Sequence, residues 1–516
     1  MDRRRGLAAG LTGALAMQIW WLLVPPGLSQ VIENRILGQV PGALFSTLLD
    51  RLQFTGKPLL YVILLLLQVA AGTALGLLLV RVAGRRTGMR LAAGVGVGVL
   101  GWIVASLLFG VGTDAVAIVV GFLIYGAVAA LALPMFEPVR ADPGPAAPDF
   151  SPSRRRMLGN VVAGGLAVLT AGGAVDTIAR IGERGTAPVA AAATAAAVPT
   201  LPRPSRAAVG DRAVPTASQV SPPNGMTAAI TPVASFYVVS KNFVDPTVNA
   251  ADWALDINGP FATSPLRLTY EQLRAMPTVS QYVTLECISN TVGGSLISNG
   301  YWTGVPLKTL LERAGMKTGA KAVAFTCVDG YTESLPLEQA LLPTTIVAHT
   351  MNGQPLPDKH GFPARIITTG LYGMKNPKWL RTIQPVVDPP VGYWEQQGWA
   401  VLAPVRTMSR IDVPGIGIAV AERAAFGGIA FAGNRGISKV EVSFDQGSTW
   451  LPAKLEKPLG PDTWVLWYGG YKFAGSGSAT ALVRATDGSG RLQFPEPASP
   501  YPAGAAGYWQ TEFRVT

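Results

Sequence analysis

The sequence predicts a multi-domain chain of three architectures: N-terminal all-α transmembrane helices, an α+β domain, and a C-terminal β-sandwich. Three observations predict it. Long apolar runs with almost no charge fill the first third of the 516 residues. A stretch rich in Ala, Pro, Thr and Ser follows them. Beyond it, mixed strand and helix patterns give way to short strands of alternating polarity separated by turns.

The apolar runs cover approximately 7–28, 58–80, 91–111, 115–136 and 158–175. Each is close to the roughly 20 residues that cross a bilayer as a helix. One such run alone is compatible with a buried core helix, but the succession points to a membrane region. We expect four transmembrane helices within 1–137 and a fifth within 138–180.

Arginine placement sets the expected orientation. Arg3, Arg4 and Arg5 precede the first run, and Arg81, Arg85, Arg86 and Arg90 surround the second loop. Arg140, Arg154, Arg155 and Arg156 lie between the fourth and fifth runs. All three clusters fall on one side, whereas the turn near Asp114 has neither Lys nor Arg. The positive-inside rule places the N-terminus in the cytoplasm of a cell (inner) membrane protein and the region after the fifth run outside. The net charge of +11 is therefore largely a topology signal, and no nucleic-acid partner is expected. Ser153-Arg154-Arg155-Arg156-Met157-Leu158 also fits a twin-arginine export signal, with an ordinary basic flank as the alternative.

Residues 181–232 read as an extended tether, since so few large apolar side chains cannot stabilise a core. Order is expected to resume at Phe236-Tyr237 and an α+β domain to span 233–389. Its strand candidates are 253–257, 282–288, 322–328 and 364–368, and its helix candidates 307–314 and 337–342. In 390–516, Val440-Glu441-Val442-Ser443-Phe444 alternates strictly before the turn Asp445-Gln446-Gly447. Segments 464–468 and 481–485 read as further strands of a sandwich.

The residues that carry chemistry are few. A loop punctuated by Gly and Pro, 351–365, ends with His360 and Arg365, a neutral or cationic ring and a guanidinium suited to an anionic ligand. Cys287 lies in the strand-like run Val283-Thr284-Leu285-Glu286-Cys287, and the other cysteine is Cys327. In an exported domain this pair could form a disulfide, or Cys287 could be a soft-metal ligand. The two histidines, His349 and His360, both lie in the second half, and no Cys-x-x-Cys-His is present. No haem is therefore predicted, and electrons are expected to pass to a separate redox partner such as a cytochrome or quinone-linked protein.

The segment Thr284-Leu285-Glu286-Cys287-Ile288-Ser289-Asn290, the loop ending in His360 and Arg365, and Gly373-Met374-Lys375-Asn376-Pro377-Lys378-Trp379-Leu380 resemble the sulfite oxidase family of molybdopterin-dependent oxidoreductases, in its membrane-anchored bacterial form. The resemblance runs from about 236 to 514. It implies a sulfite-oxidase-type molybdopterin domain followed by an immunoglobulin-like β-sandwich of the molybdenum cofactor dimerisation type. It implies Cys287 as the metal ligand and Cys327 as a neutral thiol. Tyr237, Cys287, His360, Arg365, Lys375, Asn376 and Lys378 would bind the molybdenum-molybdopterin cofactor. Cys287, Tyr331 and Arg435 would form the catalytic set, with Arg435 orienting substrate. His349 is given a structural place.

One departure bears on substrate. Sulfite oxidases carry arginine directly after the Cys-x-x-Asn segment, whereas here Asn290 is followed by Thr291-Val292-Gly293-Gly294. A charged hydrogen bond contributes roughly 1.5–3 kcal/mol, so a sulfur dianion is held less well. Lys241 is a possible substitute. The implied activity is two-electron oxygen-atom transfer at molybdenum, outside the cytoplasm, on a small polar or anionic substrate. Alternatives are a reductase of oxidised sulfur or nitrogen compounds and a non-catalytic membrane-tethered binding module.

Overall fold

A computed structural model describes residues 2–23, 28, 32, 56–83, 87–109, 116–136, 161–163, 165–167, 169–170, 216–218, 221–242 and 245–516. The described residues up to 170 belong to one compact unit and those from 216 onward to a second.

The first unit contains α1 (Asp2–Leu23), α2 (Gly56–Val82), α3 (Thr87–Phe109) and α4 (Val116–Ala132). Three segments, Leu59–Val82, Gly88–Leu108 and Ala117–Phe136, are helical, long and apolar enough to cross a membrane. They coincide with the second, third and fourth apolar runs. The first run forms α1, with Arg3, Arg4 and Arg5 in its opening turn. Of the fifth run only short helical pieces within 161–170 are described, and the twin-arginine-like motif lies outside the described residues.

Glycine lets these helices approach closely. A Cβ on Gly76 of α2 would stand 2.0 Å from the Gly6 carbonyl of α1, and one on Gly126 of α4 2.1 Å from the Gly94 carbonyl of α3. Apolar lipid gives no hydrophobic drive between such helices, so close backbone contact and buried hydrogen bonds carry the packing. Buried Gln18 of α1 donates its side-chain amide to Gln68 of α2 at 3.0 Å.

The second unit begins with β1 (Thr216–Ser218), inside the segment expected to be tether. It pairs antiparallel with β18, Thr216 opposite Lys472. Thr231 then donates its amide to Asn299 O at 2.8 Å. Backbone pairing needs no large side chain, so a composition too polar to build a core can still supply an edge strand. The tether thus yields its last residues to the folded unit.

The α+β part comprises β2 (Ala254–Ile257), β3 (Leu266–Thr269), β4 (Val279–Glu286), β5 (Ile297–Pro306), β6 (Ala322–Cys327), β7 (Thr332–Pro336), β8 (Ile346–Met351), β9 (Gln354–Pro355), β10 (Arg365–Ile367) and β11 (Leu380–Val386). Its helices are α5 (Tyr270–Arg274), α6 (Leu307–Arg313) and α7 (Leu337–Ala340). One sheet has the order β3-β2-β11-β6-β7, and the other β10-β8-β5-β4 with β9 beside β8. Short helices start where local chemistry allows. Thr269 caps α5 in a reciprocal pair with Gln272, each side chain bonding the other's backbone amide.

The C-terminal part has β12 (Met408–Val413), β13 (Ala419–Val420), β14 (Arg423–Phe431), β15 (Ile437–Ser443), β16 (Leu451–Pro452), β17 (Lys454–Leu455), β18 (Val465–Lys472), β19 (Gly477–Asp487) and β20 (Trp509–Val515). Two sheets result, β1-β18-β14-β12 with β17 beside β18, and β13-β20-β19-β15-β16. Both contribute to one apolar core. Val440 and Val442 of β15 and Ala481, Val483 and Ala485 of β19 pack there with Phe426 and Tyr471 from the opposite sheet. The alternation visible in the sequence is this inward-facing period of two.

Trp302 on β5 is fully buried. Its indole donates to Val283 O at 3.3 Å, meets Phe236 edge to face, and lies 5.3 Å below the Arg365 guanidinium carbon. Replacing it leaves a cavity that the two sheets cannot close. Trp302→Ala should destabilise the second unit by about 3–5 kcal/mol, read as a lower midpoint in urea unfolding of the purified chain.

Candidate functional site

Cys287 follows directly on β4, at the point where the strand turns back toward β5. The turn is fixed by its own polar groups. Cys287 N donates to Leu296 O at 2.9 Å, and Asn290 N donates to Cys287 O at 2.9 Å. The Asn290 side chain accepts from Leu296 N and donates to Glu286 Oε1, both at 2.9 Å. The thiol is thereby held at the floor of a pocket, with Sγ 3.0 Å from Ser289 Oγ. Both cysteines are buried and free, so the disulfide alternative is not realised. Burial raises the Cys287 thiol above its ordinary pKa. A metal cation binding there would have to displace that proton, as thiolate ligation does.

The opposite wall is the turn 358–361 with the strand that follows it. Gly361 has φ 107, and a Cβ there would stand 2.9 Å from the Lys378 Cβ. Glycine is required on both counts. The turn brings His360 to the pocket, its ring edge-to-face with Phe236. Burial, with Arg365, Lys378 and Lys359 adding to it, pushes the His360 imidazole down to about 3. The ring is therefore neutral, its one N–H donated from Nε2 to Val233 O at 3.4 Å and its Nδ1 left to accept.

Arg365 joins the two loops of this wall. Nη1 donates to His360 O and Nη2 to Asn376 O, each at 3.0 Å. Its Nε is buried and has no partner among the described residues. Asn376 also accepts from Thr368 N at 2.7 Å through its side-chain oxygen. Lys378 donates to Lys359 O at 3.1 Å, and both lysines line the pocket.

Of the residues expected from sequence, the pocket lining brings together Tyr237, Cys287, Tyr331, His360, Arg365, Asn376 and Lys378. Two expected members are placed elsewhere. Lys375 is not in the lining; its ammonium donates to Glu333 at 2.7 Å and also bonds Glu395, all three side chains being almost fully buried. Arg435 is not in the lining either. Its guanidinium donates to Asp487 Oδ2 at 2.9 Å and Thr407 Oγ1 at 3.2 Å. His349 lies on β8 outside the lining, its Nδ1 2.9 Å from Thr350 Oγ1.

Lys241, the candidate substitute for the missing arginine, lines the pocket with Tyr331, donates to Asp329 O at 2.8 Å and lies 3.8 Å from Asp329 Oδ2. The structure also adds two residues that the sequence did not single out. Trp394 and Trp399 close another side. No spacing signal marked them, because they come from a separate loop after β11. Tyr331 donates to Met374 O at 2.8 Å, and burial raises its phenol well above the ordinary value.

The donor set fits a pterin-borne metal. Among the described residues no group of three or more His, Cys, Asp or Glu could hold a metal. A metal at Cys287 would take its other ligands from a small-molecule chelate, which a dithiolene provides. Lys359, Lys378 and Arg365, with its unpartnered Nε, supply the positive potential and donors that a phosphate-bearing cofactor needs.

Comparison with known proteins agrees. The family profile described as "Oxidoreductase molybdopterin binding domain" matches residues 242–394. The "Uncharacterized oxidoreductase YuiH" of Bacillus subtilis is 33% identical over 165 residues, 32% of this chain and 81% of that protein. The "Putative protein-methionine-sulfoxide reductase subunit YedZ1" of Azospira oryzae is 36% identical over 152 residues, 30% of this chain and 56% of the relative. Mitochondrial sulfite oxidase of Homo sapiens is 27% identical over 270 residues, 43% of this chain and 49% of that enzyme. The chain thus spans about half the length of the last two. With a free thiol, a cationic wall and these relatives in agreement, the chain belongs to the sulfite oxidase family of molybdopterin-dependent oxidoreductases.

Proposed function

We propose that this protein is a membrane-anchored, extracytoplasmic molybdopterin oxidoreductase that performs two-electron oxygen-atom transfer on a small polar substrate. The observation that carries the reading is the free, buried Cys287 thiol in one pocket with His360, Arg365 and Lys378. Cys287 would be the protein's metal ligand. Tyr237, His360, Arg365, Asn376 and Lys378 would hold the pterin and its phosphate. When bound, the cofactor supplies the two-electron redox change and the oxygen-atom transfer. Tyr331 would give and take a proton at its hydroxyl, and the indoles of Trp394 and Trp399 would limit water. The two-sheet C-terminal part is read as the immunoglobulin-like domain of this family. Its Arg435, tied to Asp487, would act on substrate only after release from that partner.

The orientation follows from the arginine clusters: N-terminus in the cytoplasm, second unit outside, electrons passing to a separate cytochrome or quinone-linked protein. A reporter active only outside the cytoplasm, fused after Thr516, should be active, and one fused at Asp114 should be active as well. A fusion at Arg86 should be silent.

A second reading, reduction of an oxidised sulfur or nitrogen compound, is favoured by the charge of the pocket beside Tyr331. There Lys241 is offset by Asp329, and the loop after Asn290 brings no arginine. Near-neutral surroundings favour a neutral acceptor such as a sulfoxide over a dianion, in line with what the name of the Azospira oryzae relative states of that protein.

Cys287→Ser should lose molybdenum, measured by elemental analysis of the purified chain, with activity falling by about 10³-fold or more, the loss expected when a transition-state stabiliser of some 4 kcal/mol is removed. Cys327→Ala should keep its molybdenum; loss of metal there rather than in Cys287→Ser would overturn the assignment. Lys241→Met should raise KM for sulfite about tenfold and leave KM for a sulfoxide, assayed with a reduced dye, within twofold. An equal effect on both would remove Lys241 from substrate binding.

A further inference from the structure

Behind the pocket phenol lies a buried charge cluster that the proposed function does not use. Tyr331 Oη is 2.8 Å from Met374 O and 3.3 Å from Glu333 Oε2. Glu333 Oε1 receives Ser334 N at 2.8 Å and Lys375 Nζ at 2.7 Å. Lys375 also bonds Glu395 Oε1, and Glu395 Oε2 accepts from Gly392 N at 2.8 Å.

Hydrogen bookkeeping decides where a proton sits. A phenol has one hydrogen to donate. Met374 O, a carbonyl oxygen, can only accept, so Tyr331 spends its hydrogen there. The contact with Glu333 Oε2 is then a hydrogen bond only if that oxygen carries the hydrogen. Glu395 has both oxygens taken by N–H donors, and so has Glu333 Oε1. Glu333 Oε2 is the position left.

The charge count agrees. With Glu333 at 0% exposure, Lys375 at 2% and Glu395 at 9%, two carboxylates around one ammonium would leave a net negative charge in the interior. One added proton makes the cluster neutral and avoids that desolvation cost. Burial raises the Glu333 carboxyl to about 7, with Glu395 adding to the rise and Lys375 opposing it. The remaining titratable group facing it is Cys327, whose thiol burial pushes well up.

We propose that Glu333 carries a proton on Oε2 and exchanges it with the Tyr331 hydroxyl, making Glu333, Lys375 and Glu395 a proton store behind the pocket. The inference rests on reading Tyr331 as the group that faces the reacting centre. When the Tyr331 hydroxyl hydrogen leaves Met374 O for an acceptor in the pocket, the Glu333 Oε2–H bond breaks and that hydrogen passes to Tyr331 Oη. Glu333 is left as a carboxylate, balanced by the Lys375 ammonium. The return leg reverses both transfers, and no electron moves in either. Glu333 is a positioning residue in this scheme, acting through Tyr331. The store holds one proton and refills through the same phenol, Glu333 itself being wholly buried.

Infrared spectroscopy of the full-length chain in detergent, in light and heavy water near neutral pH, tests this directly. A band from a protonated, buried carboxyl should be present, should be lost in Glu333→Gln, and should shift to higher frequency in Tyr331→Phe, where its acceptor is gone. In Glu395→Gln the single remaining carboxylate balances Lys375, and the band should disappear. Glu286, the other buried carboxyl raised to about 7, should give a signal that none of these variants moves. Absence of the band, its survival in Glu333→Gln, or its indifference to Tyr331→Phe would each overturn the proposal. If Glu333→Gln does not fold, Tyr331→Phe and Glu395→Gln decide the matter. The readout needs no molybdenum, so a failure at Cys287 and a failure here are separate results.

Discussion

The pocket depends on one guanidinium. Arg365 donates to His360 O from one nitrogen and to Asn376 O from the other, so a single side chain ties the glycine-rich turn to the loop after β10. Removing the guanidinium would take the donor from both buried segments, and an unmatched buried carbonyl costs about 1–3 kcal/mol. Trp302 supports the guanidinium from one side, at 5.3 Å. Lysine could not replace it. A point charge lacks the planar fork that reaches two oxygens at fixed separation.

This arrangement explains why both walls of the pocket are built from turns yet keep their shape. Each functional side chain leaves a short, heavily bonded segment: Cys287 from the turn that Asn290 closes, His360 from the turn that Gly361 permits. The strands below supply rigidity, and the turns supply access. A site meant to accept a large cofactor from outside benefits from that division, since binding need not disturb either sheet.

Much of this was legible in the sequence, for identifiable physical reasons. The position of β15 followed from period-two alternation, because one face is buried and the other is not. The pocket residues on the 351–365 loop and at Cys287 were legible because glycine and proline punctuation exposes function-bearing turns. Lys375 and Arg435 illustrate the limit. A cation next to a motif is equally suited to a ligand or to a carboxylate, and the carboxylates that bind these two, Glu395 and Asp487, lie 20 and 52 residues further along the chain. Long-range pairing of that kind leaves no local pattern. The pairing of β1 was hidden for a related reason, since an edge strand held by backbone bonds leaves little trace in side-chain composition.

The two unjoined thiols have a consequence for how the protein is made. Neither Cys287 nor Cys327 needs an oxidant to reach its final state, and both are shielded from solvent. The second unit can therefore reach its folded covalent form without an oxidising step. Its assembly is decoupled from thiol-oxidising machinery, which leaves acquisition of the cofactor as the chemical event that marks completion.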